Sequence, residues 1–200
     1  DVPADGDNSN NRNAICERAI ERLLDESQPG LTHRKNLERI TIGNIEDDMH
    51  RLADVDWIAE AVVERLDVKK KLYREIDKVR KAGSIVSSNT STIPIALLVE
   101  DMPKSFQAEF AITHFFNPVR YMRLLEIVRG EHTRKDVIDC LEQFNESRMG
   151  KGIVVCNDTP GFLGNRVGVF AIQTALHAAF RMGLEPEEAD AVFGRPLGIP

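Results

Sequence analysis

Ser84-Ile85-Val86-Ser87-Ser88-Asn89-Thr90-Ser91-Thr92-Ile93-Pro94 is the stretch on which the fold turns. Ser84 to Ser87 suits a strand, Ser88 to Thr92 is a hydroxyl-rich turn, and a helix is expected to start near Pro94, whose fixed φ fits a first helical turn. The same order recurs on either side. Upstream, Asp56 to Val63 (DWIAEAVV) reads as a buried strand and turn leading into a charged helix from about Glu64 to Lys81, with Val68, Leu72, Ile76 and Val79 as its inner stripe. Downstream, Phe106 to His114 and Met122 to Val128 read as strands, Thr133 to Arg148 as a helix and Gly152 to Cys156 as another strand. Strands alternating with helices imply an α/β fold with a doubly wound, mostly parallel sheet covered on both faces. Ligands in such sheets bind at the carboxyl ends of strands, where the turn after Ser87 and the block beginning at His114 are both expected.

Before this core, Asp1 to Asn11 reads as a loop, Arg12 to Leu24 as a helix carrying Ile15, Ala19 and Leu23, and Ile40 to Gly43 as a short strand candidate. After it, Asn157-Asp158-Thr159-Pro160-Gly161 has the chemistry of caps and turns and marks a boundary between residues 1–157 and an all-α second domain, residues 158–200. Phe162, Val169, Ile172, Leu176 and Phe180 form one apolar stripe there, and Leu163, Val167 and Phe170 another. A helix apolar on two sides must be covered on two sides. Too little sequence follows to supply both covers, so we expect further chain or another subunit to complete this domain.

The 200 residues are 42% apolar and 29% charged with a net charge of -6, as in a soluble globular protein. An acidic balance disfavours a nucleic-acid partner. Cys16, Cys140 and Cys156 are far apart and odd in number, so neither a disulfide framework nor a metal site is indicated, and a reducing, cytoplasmic setting fits. No stretch approaches the roughly 18 to 20 apolar residues of a membrane span, and no signal-peptide core is seen.

Two residues stand out chemically. His114 opens Phe115-Phe116-Asn117-Pro118, and Glu126 interrupts the apolar run Leu124-Leu125-Glu126-Ile127-Val128. Period-two alternation puts Met122, Leu124, Glu126 and Val128 on one strand face. A carboxylate there is costly to bury without a partner. His114, 12 residues earlier, is a candidate partner, and the two would make a general base with its orienting carboxylate. Alone, His114 would be read as a satisfied core residue.

Ser88-Asn89-Thr90-Ser91, His114-Phe115-Phe116-Asn117-Pro118 and Asp158-Thr159-Pro160-Gly161-Phe162 with Asn165-Arg166 together resemble the L-3-hydroxyacyl-CoA dehydrogenases over about Leu52 to Pro200. Ser91-Thr92-Ile93-Pro94 and Leu197-Gly198-Ile199-Pro200 look most like the dehydrogenase part of multifunctional fatty-acid oxidation proteins. The resemblance implies a Rossmann-like fold and NAD-dependent oxidation of the 3-hydroxyl of an acyl-CoA in β-oxidation, with His114 as general base oriented by Glu126. It implies that Ser91 and Asn165 contact the substrate, with Ser91 also near the nicotinamide. Glu64, Lys69 and Asn117 would contact the cofactor, and Asp1 would bind the adenosine ribose. By pattern alone, Ser91 could be a helix cap, Asn165 an ordinary polar group near a helix start, Glu64 a first-turn residue and Lys69 part of a solvated basic run. The two-sided apolar helix after Pro160 favours a homodimer through that domain, and the likeness to multifunctional proteins implies a possible fused enoyl-CoA hydratase domain.

The sequence contains no G-x-G-x-x-G turn, which cradles a dinucleotide's pyrophosphate. In the family that turn follows the first strand, and this chain is expected to begin just after the second, so the first strand and that turn are expected outside these residues. Two other readings compete: a fragment or structural protein that keeps the fold without catalysis, and a hydrolase using Ser91, His114 and Glu126, which the lack of a G-x-S-x-G elbow disfavours.

Overall fold

Five strands among the described residues form one sheet in chain order. They are β1 (Trp57–Glu60), β2 (Ile85–Ser88), β3 (Phe110–Phe115), β4 (Leu124–Arg129) and β5 (Gly152–Cys156). β1, β2 and β3 run parallel, β4 runs antiparallel to β3, and β5 runs parallel to β4. The helices are α1 (Ala14–Leu23), α2 (Leu66–Val79), α3 (Ile95–Val99), α4 (Lys104–Ala108), α5 (Lys135–Ser147), α6 (Gly164–Met182) and α7 (Pro186–Ala189). The structure, a computed structural model, describes residues 11–24 and 30–194 together with Pro3 and Pro196. Asp1 and most of the loop expected at the N-terminus lie outside the described residues.

The mostly parallel, helix-covered sheet expected from the alternation is observed. Successive strand residues face opposite ways, so each strand feeds two cores. Ile58, Val86, Ile112 and Val128 pack on one face with Tyr73 and Ile76 of α2, Leu98 of α3 and Phe106 of α4. Ile85, Ala111, Leu125 and Ile127 pack on the other with Val137, Ile138 and Leu141 of α5. Burying one side chain such as Phe106 contributes about 1.5–3 kcal/mol, so the sheet is a rigid platform for whatever its strand ends carry.

Three local expectations differ from the structure. Residues 40–43 are not a strand; side chains take their backbone acceptors instead, Arg51 Nη1 donating to the Ile42 carbonyl at 3.0 Å and Cys16 Sγ to that of Gly43 at 3.2 Å. Phe106 lies in α4, and β3 starts only at Phe110, because one helical turn after Pro103 buries that single aromatic as well as a strand would. In α2 the fully buried residues are Lys69, Tyr73 and Ile76, while Val68, Leu72 and Val79 are half-buried. The inner stripe is thus rotated toward a lysine that the surrounding charges disguised.

Past β5, α6 has no buried residue: Phe170 is 74% and Phe180 79% exposed, so within the helix both apolar stripes are uncovered among the described residues, whereas Phe162, expected on the first stripe, lies in the left-handed turn before α6 and is buried in the sheet's core. No helix is long and apolar enough to cross a membrane among those residues.

Candidate active site at the carboxyl end of β3

His114 and Glu126 are directly opposed in the antiparallel β3–β4 register. Opposed residues share a sheet face, and His114 Nδ1 lies 2.7 Å from Glu126 Oε2, both side chains being buried. The other carboxylate oxygen, Oε1, accepts backbone N–H bonds from Leu163 at 2.9 Å and Gly164 at 2.6 Å. Those amides open the 19-residue α6, so the positive end of its dipole faces the carboxylate. Left-handed Gly161 (φ 76) and Phe162 (φ 44) turn the chain so that the two N–H groups converge. Cys156 Sγ approaches Oε1 at 3.8 Å. Burial, with the charge of Glu126, pushes its thiol up, so it remains protonated as a weak donor.

An ionised carboxylate only accepts, so Nδ1 must donate to it, and Nε2 is left to take a proton. The rings of Phe116 (4.6 Å) and Phe162 (5.6 Å) flank the imidazole edge-on and restrict its rotation.

A second cluster occupies the carboxyl ends of β1 and β2. Glu64 Oε1 accepts from the hydroxyls of Thr90 and Thr92 (3.0 Å) and from the Ser91 backbone N–H at 3.3 Å, while Glu64 Oε2 lies 3.3 Å from Lys69 Nζ. Partial burial opposes ionisation of Glu64, but those hydroxyls and the Lys69 charge outweigh it and hold the carboxyl below its ordinary value. Its side chain remains 40% exposed. A fixed, accessible carboxylate of this kind can accept from the paired hydroxyls of a ribose, so the residues present are compatible with a ribose of a dinucleotide.

The two clusters are tied by Asn89, whose Oδ1 accepts the Phe115 N–H at 2.9 Å, next to His114. The structure therefore joins His114 with Glu126, and Glu64 with Lys69 and Ser91. Asn165 sits in the first turn of α6, one residue beyond Gly164. Asn117 is exposed on the loop after β3, ahead of a cis bond to Pro118. Lys151 supports that loop from β5's approach, donating from Nζ to the carbonyls of Val119 and Met122.

Sequence reading missed Glu60, Asn89 and the Leu163 and Gly164 amides. Glu60 carried a usable signal: it breaks the apolar run WIAEAVV as Glu126 breaks its own. The amides carried none, because backbone donors have no residue signature.

Residues 5–159 match the family model described as 3-hydroxyacyl-CoA dehydrogenase, NAD binding domain. A probable 3-hydroxyacyl-CoA dehydrogenase of Bacillus subtilis is 41% identical over 194 residues, covering 97% of this chain and 25% of its own length. One of Deinococcus radiodurans is 41% identical over 187 residues, covering 94% and 54%. A putative fatty acid oxidation complex trifunctional enzyme of Rickettsia felis is 40% identical over 192 residues, covering 96% and 27%. Among solved structures, the (S)-3-hydroxybutyryl-CoA dehydrogenase of Ralstonia eutropha superposes with a TM-score of 0.72 at 29% identity, covering 88% of this chain and 60% of that one. The chain thus spans about a quarter to about half the length of these curated relatives. On the strength of the family model and these identities, the chain belongs to the 3-hydroxyacyl-CoA dehydrogenase family, of which it carries the NAD-binding domain.

Proposed function

We propose that the protein containing this domain oxidises L-3-hydroxyacyl-CoA thioesters to 3-oxoacyl-CoA in fatty-acid β-oxidation. The observation that carries the reading is the buried 2.7 Å bond between His114 Nδ1 and Glu126 Oε2, with Nε2 left over as the proton acceptor. Bound NAD supplies the hydride acceptor for carbon 3. His114 takes the hydroxyl proton on Nε2 as the hydride leaves. Glu126 fixes the tautomer and steadies the imidazolium that forms, itself held by the Leu163 and Gly164 amides. Such proton transfer contributes on the order of 100- to 10,000-fold.

Ser91 and Asn165 are assigned to the substrate's 3-oxygen, Ser91 also to the nicotinamide, and Glu64, Lys69 and Asn117 to the cofactor. Support comes from Ser91 lying on the turn held by Glu64, and from Asn165 following the amides that grip Glu126. Asp1 is kept as the adenosine-ribose residue on the resemblance alone. Residues 158–200 are assigned to the start of a helical second domain, in which further chain or a partner subunit covers α6 and through which the protein pairs as a homodimer, in line with the apolar stripes exposed there. A fused hydratase domain and a cytoplasmic setting complete the reading; the trifunctional name of the Rickettsia relative supports fusion.

The test is the full-length protein with acetoacetyl-CoA and NADH. Loss of absorbance at the reduced-nicotinamide band is expected, abolished by His114→Asn. Thiol release without NADH oxidation would instead identify a hydrolase, and no turnover in either assay would indicate a non-catalytic protein.

A further inference from the structure

Glu60 ends β1 as a carboxylate whose side chain is 1% exposed. It accepts four hydrogen bonds: from Lys69 Nζ at 2.8 Å, the Val62 N–H at 2.6 Å, the Tyr73 hydroxyl at 2.6 Å and the Ser88 hydroxyl at 2.7 Å. Its own carbonyl accepts the Asn89 N–H at 2.7 Å. One residue thereby grips α2, β2 and the turn that leads to Ser91.

Lys69 gives this arrangement its direction. Its side chain is also 1% exposed, and its ammonium stands between Glu60, equally buried, and Glu64, 40% exposed. The trio carries one cation and two carboxylates, so one negative charge is in excess. Glu60 is enclosed by donors on every side. The excess is therefore presented at Glu64, the member open to a ligand. A purely structural ion pair would need only Glu60 and Lys69; the third member, turned outward and braced by Thr90 and Thr92, points to a ligand.

We infer that Glu60 is a positioning residue for the cofactor: it anchors the Lys69 ammonium from beneath, so that Lys69, Glu64 and the Ser88–Thr92 turn are preset to receive the nicotinamide ribose. This rests on the reading of Glu64 and Lys69 as cofactor contacts. Burial, joined by the charge of Glu60, pushes the Tyr73 phenol well up, so Tyr73 serves only as a proton donor that fixes the carboxylate.

The test is titration of NADH fluorescence in the full-length protein for Glu60→Gln, Lys69→Met and the double variant, with thermal unfolding checked alongside. Glu60→Gln is expected to weaken NADH binding about tenfold, with the KM for acetoacetyl-CoA changed by less than about twofold. In the Lys69→Met background the same substitution should add little, because its effect passes through Lys69. If Glu60→Gln does not fold, Glu60→Asp keeps the charge and draws it back from Lys69, and the same weakening is expected. Unchanged NADH affinity in a folded variant, or an equal loss with and without Lys69, would overturn the inference. A wild type that binds NADH yet does not reduce acetoacetyl-CoA would sink the proposed activity and leave the role of Glu60 standing.

Discussion

The Gly164 amide nitrogen lies 2.6 Å from Glu126 Oε1, across 38 residues of chain. A Cβ at Gly164 would stand 2.9 Å from Phe116 Cζ and 3.5 Å from that same oxygen. Phe116 in turn packs against the His114 ring. Gly164→Ala should therefore displace the phenylalanine and loosen the grip on Glu126 together. The expected result is about 1–3 kcal/mol of destabilisation in urea unfolding and a fall in kcat greater than that in NADH affinity. A fully active, undiminished Gly164→Ala enzyme would contradict the close packing.

Glu126→Gln separates orientation from bulk. With its amide oxygen turned to the Leu163 and Gly164 N–H groups, the new NH2 faces His114 Nδ1 and forces it to accept. The proton then sits on Nε2, where the proposed general base needs a lone pair. A kcat loss on the order of 100-fold or more is expected, with NADH fluorescence titration near wild type. Retained turnover would show that Glu126 does not set the tautomer.

Asn89→Ala removes the acceptor of the Phe115 N–H. An amide left without a partner costs about 1–3 kcal/mol. Because Phe115 follows His114, both unfolding free energy and kcat should fall; a stability loss with unchanged kcat would mean that the tie serves the sheet alone.

Glu64 gives a pH signature. Its folded carboxyl is held below the ordinary value of 4.5, so its contribution to stability is complete above that pH and is lost as pH falls through the lower folded value. The melting-temperature gap between wild type and Glu64→Gln should be widest near neutrality and close in acid. A gap independent of pH would remove the assigned hydrogen bonds from the account.

The legibility of this chain follows from which signals are local. The strand faces and the His114–Glu126 pairing follow from period-two alternation and a carboxylate that needs a partner, and the register confirms both. Residues 40–43 are not a strand because tertiary contacts decide whether a carbonyl joins a ladder or accepts from side chains such as Cys16 and Arg51, and no propensity within four residues carries that information. Lys69 was hidden among charges that are solvated; only the fold decides which of several lysines on α2 turns inward. Glu60 was overlooked although the argument used for Glu126 applies to it unchanged. Backbone donors at 163 and 164 lie beyond any side-chain reading.

The two halves of the Glu126 carboxylate differ in how far along the chain their partners lie, and this bears on the order of assembly. Oε2 meets a residue 12 positions away through a single reversal of the chain, while Oε1 waits for amides 37 and 38 positions away. Closing the longer loop costs on the order of 1 kcal/mol more entropy, and short-range contacts form first as a rule. The β3–β4 pair should thus belong to the folding nucleus and the start of α6 to a later step. Val128→Ala would then slow refolding, and Gly164→Ala would mainly speed unfolding; the reverse pattern in stopped-flow kinetics would invert the order. A nascent chain on this route holds His114 beside an uncapped carboxylate until the following helix arrives to close it.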